Sequence, residues 1–356
     1  MRYSDALRSL PELRSGYVPA TGTQVKLNQN ESPFDLEPAQ RALLLAELQA
    51  VPLNRYPDPR HAALMTLIAQ TVGGTPDMAL VGNGANELIE LLIRSTCNPG
   101  DQVLTVWPTY HLYDRFAAMN RAELVRVGWG EPFGFPRTEL ARAIGPRTGM
   151  ILLCRPNNPT GHLFAAEEVL ALAHDFHGMV VVDEAYYDFC CDSLAPWVNA
   201  VRNLVVVRTL SKAYGAAGLR LGYILAAAPV VRAVRVLQLP YGVNAFSEVV
   251  ARFLLARPWL MERQRAAIVE NRQALARSLA DIPGISVFPS ATNFLLVRTS
   301  FSADTADLYL QRLGIFVRNL KWDDRHLRIS VGTRQDHARL REALAACAAS
   351  AGLPSP

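Results

Sequence analysis

Lys212 stands in the run RTLSKAYGAAGLR (208–220), with the hydroxyls of Thr209 and Ser211 just before it and Arg220 eight residues after it. Lysine occurs at only two other positions, Lys26 and Lys321, so amine chemistry has three candidates. A free lysine, with a pKa of about 10.4, is a poor nucleophile at neutral pH until desolvation or a nearby cation lowers that value. Arg220 is such a cation. Hydroxyl donors and a bidentate guanidinium also suit phosphate oxygens, so the run fits a ligand that forms an imine with Lys212 and carries a phosphate. Asp183 follows the apolar run MVVV, and a buried carboxylate there needs a cationic partner. A protonated ring nitrogen meets that need, and the carboxylate keeps the ring able to accept electrons from a carbanion. Tyr186, three residues on, and Asn158, at a neighbouring strand end, can both hydrogen-bond a phenolic oxygen on such a ring, and Tyr110 can stack on its face.

These residues share a place in the pattern. From about residue 78 to 226, short Val/Ile/Leu runs alternate with helical stretches: MALV, DQVLTV, AELVRV, MILLC, MVVV, NLVVV and GYILAA. Such runs read as strands of a mainly parallel sheet covered by helices on both faces, an α/β core. Ligands of open parallel sheets bind beyond the carboxyl ends of the strands. The residues there are polar: Gly82 to Asn86 after MALV, Thr109 and Tyr110 after DQVLTVWP, Asn157 and Asn158 after MILLCRP, Asp183 after MVVV, and Thr209 to Lys212 after NLVVVR. In GNGANE two glycines let the backbone approach an anion, and the helix that follows offers free N–H groups around Ala85 and Asn86. Glu87 stands where a dinucleotide fingerprint has its third glycine, so a phosphate site fits better than an NAD site. Taken singly, these features have plainer readings: a tight turn, a capping Asp, a packed Tyr. Their coincidence at successive strand ends favours one site.

After Pro240 the pattern changes to a helical stretch over about 247–279, interrupted by Pro258, then the runs GISVFP, NFLLVR, GIFVRNL and HLRISVG and a last helix around 338–349. The expected organisation is an N-terminal arm over 1–33, a large ligand-binding domain over 34–248 and a small α+β domain over 249–356.

Composition narrows the partners. With 356 residues, half of them apolar and 19% charged, the chain can bury a large core and does not read as disordered. A net charge of +4 from 36 basic and 32 acidic residues, with no basic stripe, argues against a nucleic-acid partner. Five cysteines without a C-x-x-C pair argue against a disulfide framework or a thiolate metal site, so no metal is expected and a reducing cytoplasm fits. No run reaches the roughly 18 apolar residues of a membrane span, and the N-terminus lacks an apolar signal region. The expectation is a soluble, unexported enzyme.

With these residues in place, the sequence resembles the fold-type I pyridoxal 5′-phosphate enzymes, and within them the histidinol-phosphate aminotransferase group of class I/II aminotransferases. The resemblance runs through LNQNESPF (27–34), NRYPDP (54–59), GNGANELIELL (82–92), WPTYHLY (107–113), RPNNPTG (155–161), VVDEAYYDF (181–189), RTLSKAYGAAGLRLGY (208–223), PYGVN (240–244) and LRISVGT (327–333). It implies a mainly parallel seven-stranded sheet sandwiched by helices, with a smaller α+β C-terminal domain. It also implies Lys212 as Schiff-base lysine and proton shuttle, Asp183 at the pyridine nitrogen, Asn158 and Tyr186 at O3′, and Tyr110 stacked on the ring. Ala85, Asn86, Thr209, Ser211 and Arg220 would hold the phosphate, joined by Tyr56 from the other subunit of a homodimer with shared sites. Arg328, Arg318, Tyr17 and Asn158 would meet the substrate. Arg155, an unusual residue before PNNPTG, is expected to turn away into a surface ion pair, the alternative being the pocket. The implied activity is transamination between histidinol phosphate and 2-oxoglutarate. The alternatives on this scaffold are an aromatic or specialised amino-acid aminotransferase, or an O-phosphothreonine decarboxylase. A cofactor-sensing regulator would need a DNA-binding module that this chain has no room for.

Overall fold

The computed structural model describes Leu10 and residues 24–130 and 133–350. Among them are two sheets. The first strand, β1 (Val25–Leu27), joins the second sheet, while β2 (Ala79–Gly82), β3 (Gln102–Trp107), β4 (Glu123–Gly128), β5 (Thr148–Cys154), β6 (Met179–Asp183), β7 (Leu204–Thr209) and β8 (Gly222–Ala226) make the first. Its order is β2-β8-β7-β6-β5-β3-β4, with β8 alone antiparallel to its neighbours. The expected mainly parallel seven-stranded sheet is present.

The central strands are unbroken apolar runs because both faces are covered, and the strand period of two divides their side chains between two layers. Ile151, Leu153, Val180, Val182, Leu204 and Val206 enter one core cluster. Met150, Leu152, Val181, Val205 and Val207 enter the other, with Leu88, Ile89, Leu91, Leu92 and Ile93 of the helix Ala85–Thr96. A one-residue slip would exchange the layers, so the register that puts Cys154 beside Asp183 is strongly specified.

The second sheet contains β9 (Ile285–Val287), β10 (Phe294–Thr299), β11 (Ile315–Asn319) and β12 (His326–Ser330), in the order β1-β11-β12-β10-β9. A 23-residue helix, Pro258–Ala280, ties the two sheets together. Its Ile268 packs in the first sheet's core, and Leu275 and Leu279 in the second's. Pro258 begins this helix, where a missing N–H costs nothing, so the expected interruption is a new start.

Both expected domain boundaries lie close to regular secondary structure. Residue 248 falls inside the helix Ala245–Leu255, whose start is set by Asn244 Oδ1 accepting from Ser247 N at 2.9 Å. Val25–Leu27, within the segment read as an arm, pairs parallel with β11. Three residues are too few for a strand period to register in the sequence.

Candidate active site

The carboxyl ends of β5, β6 and β7 open on one polar centre. Asp183, at the end of β6, is 4% exposed. Tyr113 donates to its Oδ2 at 2.8 Å and the Ala185 N–H to its Oδ1 at 3.1 Å. Burial nevertheless lifts the carboxyl to about 6, against the lowering effect of those two donors and of Lys212. A group so placed gains most from a cation.

Lys212 lies on the loop after β7. Its Nζ donates to the Gln29 carbonyl at 3.0 Å and sits 5.9 Å from the centre of the Tyr186 ring. Burial lowers the amine to about 8, followed by the charge of Arg328; Glu31 opposes them, and Arg220 lowers it less than Arg328 does. Arg220 contributes in the expected sense. The larger of the two is Arg328, a residue distant in sequence that the second sheet brings in.

On the same side of the sheet, β8 crosses under the start of the helix Ala85–Thr96. Gly84, at φ 86°, occupies the N-cap with no side-chain cap, leaving N–H groups of Ala85 and Asn86 free of that partner. A Cβ on Gly84 would lie 2.7 Å from Arg220 Nη2, and one on Gly222 would lie 2.5 Å from Ala85 N and 2.7 Å from Gly84 C. The absent side chains therefore let the guanidinium and the helix terminus close on one spot. Thr209 and Ser211 are buried, their hydroxyl oxygens 2.9 Å apart. Arg220 is exposed, and its Nη1 donates to the Ala217 carbonyl at 3.3 Å. Tyr110 is half-buried beside Asn86, donating to Asn86 Oδ1 at 3.4 Å and meeting Tyr113 edge-on at 5.5 Å.

Opposite the lysine, Arg328 of β12 donates to Asn158 Oδ1 and to the Asn28 carbonyl, both at 2.7 Å. Its Nε is buried without a partner. Arg318 lies directly across the antiparallel ladder from it and has no hydrogen bond or ion pair among the described residues. Burial first, then the charge of Arg318, lowers Arg328 to about 10. Tyr186, 4% exposed, accepts at its hydroxyl from Asn30 Nδ2 at 3.0 Å and Asn158 Nδ2 at 3.3 Å, and burial pushes its phenol far up.

Lys212, Asp183, Tyr186, Asn158 and Arg328 are thus linked by short contacts or shared electrostatics. Tyr56 stands apart: it is 81% exposed, stacks on Tyr241 at 4.6 Å and makes no hydrogen bond among the described residues. Tyr17 lies outside the described residues. Arg155 turns away from the pocket, but its pairing is buried on the arginine side, not superficial. Its side chain is fully buried, pairing with Asp192 at 2.8 Å and donating from Nε to the Phe164 carbonyl at 2.8 Å. Sequence reasoning missed Tyr113 and Asn30, although WPTYHLY and LNQNESPF both contain a polar residue to spare.

A lysine whose amine burial lowers to about 8, a buried carboxylate and a helix start closing on an arginine gather at these strand ends, the kind of set that suits an enzyme handling amino groups on a bound phosphorylated ring. Residues 22–346 match the family described as aminotransferase class I and II, and the chain belongs to that family. It is 33% identical over 329 residues to histidinol-phosphate aminotransferase 2 of Nitrosococcus oceani, covering 90% of this chain and 91% of that protein. It is 34% identical over 344 residues to the histidinol-phosphate aminotransferase of Bacteroides fragilis, covering 95% of each. The crystal structure of histidinol-phosphate aminotransferase from Sinorhizobium meliloti, in complex with pyridoxal-5′-phosphate, superposes with a TM-score of 0.87 at 27% identity over 98% of both chains. The fold is the fold-type I aminotransferase architecture.

Proposed function

We propose that this chain is a pyridoxal 5′-phosphate-dependent histidinol-phosphate aminotransferase, with 2-oxoglutarate as amino acceptor. The observation that carries the substrate is the facing pair Arg318 and Arg328, one guanidinium without a hydrogen bond or ion pair among the described residues and the other with an orphaned buried Nε. Two such groups suit a doubly charged phosphate, or in the return half-reaction a carboxylate.

The residues fit the cofactor. At Gly84, where a Cβ would lie 2.7 Å from Arg220 Nη2, the guanidinium meets the helix terminus at Ala85 and Asn86, and Thr209, paired with Gly222 in the ladder, and Ser211 bring hydroxyls to the same strand ends. Asp183 is a buried carboxylate that gains from a ring cation, Tyr110 offers a face, and Tyr186 and Asn158 offer polar groups for the ring oxygen. When bound, pyridoxal phosphate supplies a carbon to which amines attach and a ring that withdraws electrons from the substrate Cα.

The protein's own part is then division of labour. Asp183 would keep the ring nitrogen protonated. Lys212 Nζ, whose amine burial lowers to about 8, would take the Cα proton and return it on the cofactor side. Arg328 and Arg318 orient the anionic end of the substrate, and Tyr17 would line the same pocket.

We further infer a homodimer in which Tyr56 reaches the partner's phosphate. Its exposure, with Leu53, Val236 and Leu239 also bare, supports a covered surface in the assembly. A large unit around the first sheet and a small unit around the second, divided near 248, follow the proposed domains. No helix among the described residues is long and apolar enough to cross a membrane, and five free cysteines favour the cytoplasm.

A half-reaction screen tests the substrate. Histidinol phosphate should bleach the lysine-bound cofactor band at lower concentration than aromatic or simple amino acids, and Arg318→Ala should raise its half-saturating concentration at least about tenfold. Bleaching by another donor alone, or carbon dioxide release from O-phosphothreonine, would assign the site elsewhere.

A further inference from the structure

Three consecutive residues after β1 each hold a different group of the site. The Asn28 carbonyl accepts from Arg328 Nη2 at 2.7 Å, the Gln29 carbonyl from Lys212 Nζ at 3.0 Å, and Asn30 Nδ2 donates to the Tyr186 hydroxyl at 3.0 Å. Asn30 is 1% exposed at φ 54°, a left-handed conformation that Asn tolerates better than most residues.

The orientation of its amide follows from the surrounding donors. Asn30 N donates to Ser330 Oγ at 2.8 Å, so that oxygen accepts there and spends its own hydrogen on Asn30 Oδ1 at 2.9 Å. Asn293 Nδ2 donates to the Asn30 carbonyl at 2.9 Å. Oδ1 therefore faces Ser330, and the NH2 group faces Tyr186. By the same logic Arg328 fixes Asn158 Oδ1 and leaves Asn158 Nδ2 for the phenol, 3.3 Å away. A phenolic oxygen that receives two N–H donors has only its own proton left to give, in a third direction.

We propose that Asn30, held by Ser330 and Asn293, is a positioning residue that aims the Tyr186 hydroxyl proton at the cofactor's phenolic oxygen. This rests on the proposed cofactor site. The segment that carries Asn30 comes from the second sheet's first strand, so the first sheet's tyrosine is set by a residue anchored on the second sheet.

The test reads the colour of the holoenzyme against pH. A donor on the phenolic oxygen stabilises its negative charge and favours the deprotonated form of the bound cofactor, so losing the donor raises the pH midpoint of the absorption change. Asn30→Gly, which accepts the positive φ, should raise that midpoint by about one unit. Asn30→Asp, whose carboxylate would draw the phenol's proton to itself, should raise it further, and Ser330→Ala should raise it less. In a Tyr186→Phe background Asn30→Gly should add nothing, because its effect passes through that hydroxyl. An unmoved midpoint in Asn30→Gly, or an equal shift with and without the tyrosine, overturns the proposal. If Asn30→Gly fails to fold, Ser330→Ala carries the same comparison in both backgrounds. A wild-type protein that takes up no pyridoxal phosphate, with no borohydride-trapped adduct at Lys212, would instead remove the proposed function.

Discussion

Asp183 and Lys212 are both displaced from their ordinary ionisation by burial, in directions that make opposite demands. The Lys212 amine is lowered from 10.5 to about 8, so its reactive neutral form appears as pH rises through that value. The rate at which cofactor-free protein captures pyridoxal phosphate should climb with pH and level off above about 8, measured by stopped-flow absorbance. A rate flat between pH 7 and 9 would mean that another group limits capture. Asp183 is raised from 3.8 to about 6, above its unfolded value. The folded cofactor-free chain then binds more protons than the unfolded chain between those values, and stability falls as pH rises through the window. The two-unit displacement corresponds to about 3 kcal/mol, with Asp188, also held near 6 by burial, adding in the same sense. Asp183→Asn should therefore stabilise the cofactor-free protein above pH 6 by up to about 3 kcal/mol in urea unfolding, while lowering transamination severely. A variant that is less stable at pH 8 would show that the carboxylate is already paired.

At the scale of elements, the site depends on how closely β8 approaches the helix Ala85–Thr96. Gly222→Ala would place a methyl group 2.5 Å from the Ala85 nitrogen, against backbone that has little room to yield. The variant should lose about 1 to 3 kcal/mol of stability and bind pyridoxal phosphate at least about tenfold more weakly, read by urea unfolding and spectral titration. Unchanged affinity would detach the cradle from this crossing. The same scale explains what was legible in advance. Lys212, Asp183 and the GNGANE turn could be read because each sits within a few residues of the strand end that presents it. Tyr113 could not, because its role is a bond to Asp183, 70 positions away, and nothing local distinguishes it from a packed tyrosine. Asn30 belongs to a motif that carried the family likeness, yet its side chain has meaning only beside Tyr186 and Ser330. Arg328 was found through likeness to a family, while its effect on the lysine required the second sheet to be in place. The seven strands were readable from their apolar runs; the three-residue β1 was not.

For the whole molecule, Tyr56 makes the sharpest claim. It is 81% exposed and stacks on Tyr241, with Val236, five residues before that partner, 82% exposed. Mixing the inactive Lys212→Ala with an impaired Tyr56→Phe variant, under conditions that exchange subunits, should restore activity above either parent. In the proposed arrangement the mixed dimer would carry one site with both residues intact. Proven exchange without recovery, or full activity in a dilute monomer, would leave Tyr56 serving its own subunit.

The segment from Asn28 to Asn30 also sets an order of events during synthesis. Its bonds to Arg328 and Ser330 close a span of 300 residues, so a chain still emerging from the ribosome owns Lys212 and the turn at Gly84 long before it owns the site. Closing so long a loop costs about 5 kcal/mol of chain entropy, which the packing of β1 and β12 into one sheet must offset. Catalytic competence is therefore a property of the finished polypeptide. A nascent chain stalled short of β12 would carry Lys212 and the proposed phosphate turn without Arg328, the residue proposed to orient a substrate between them.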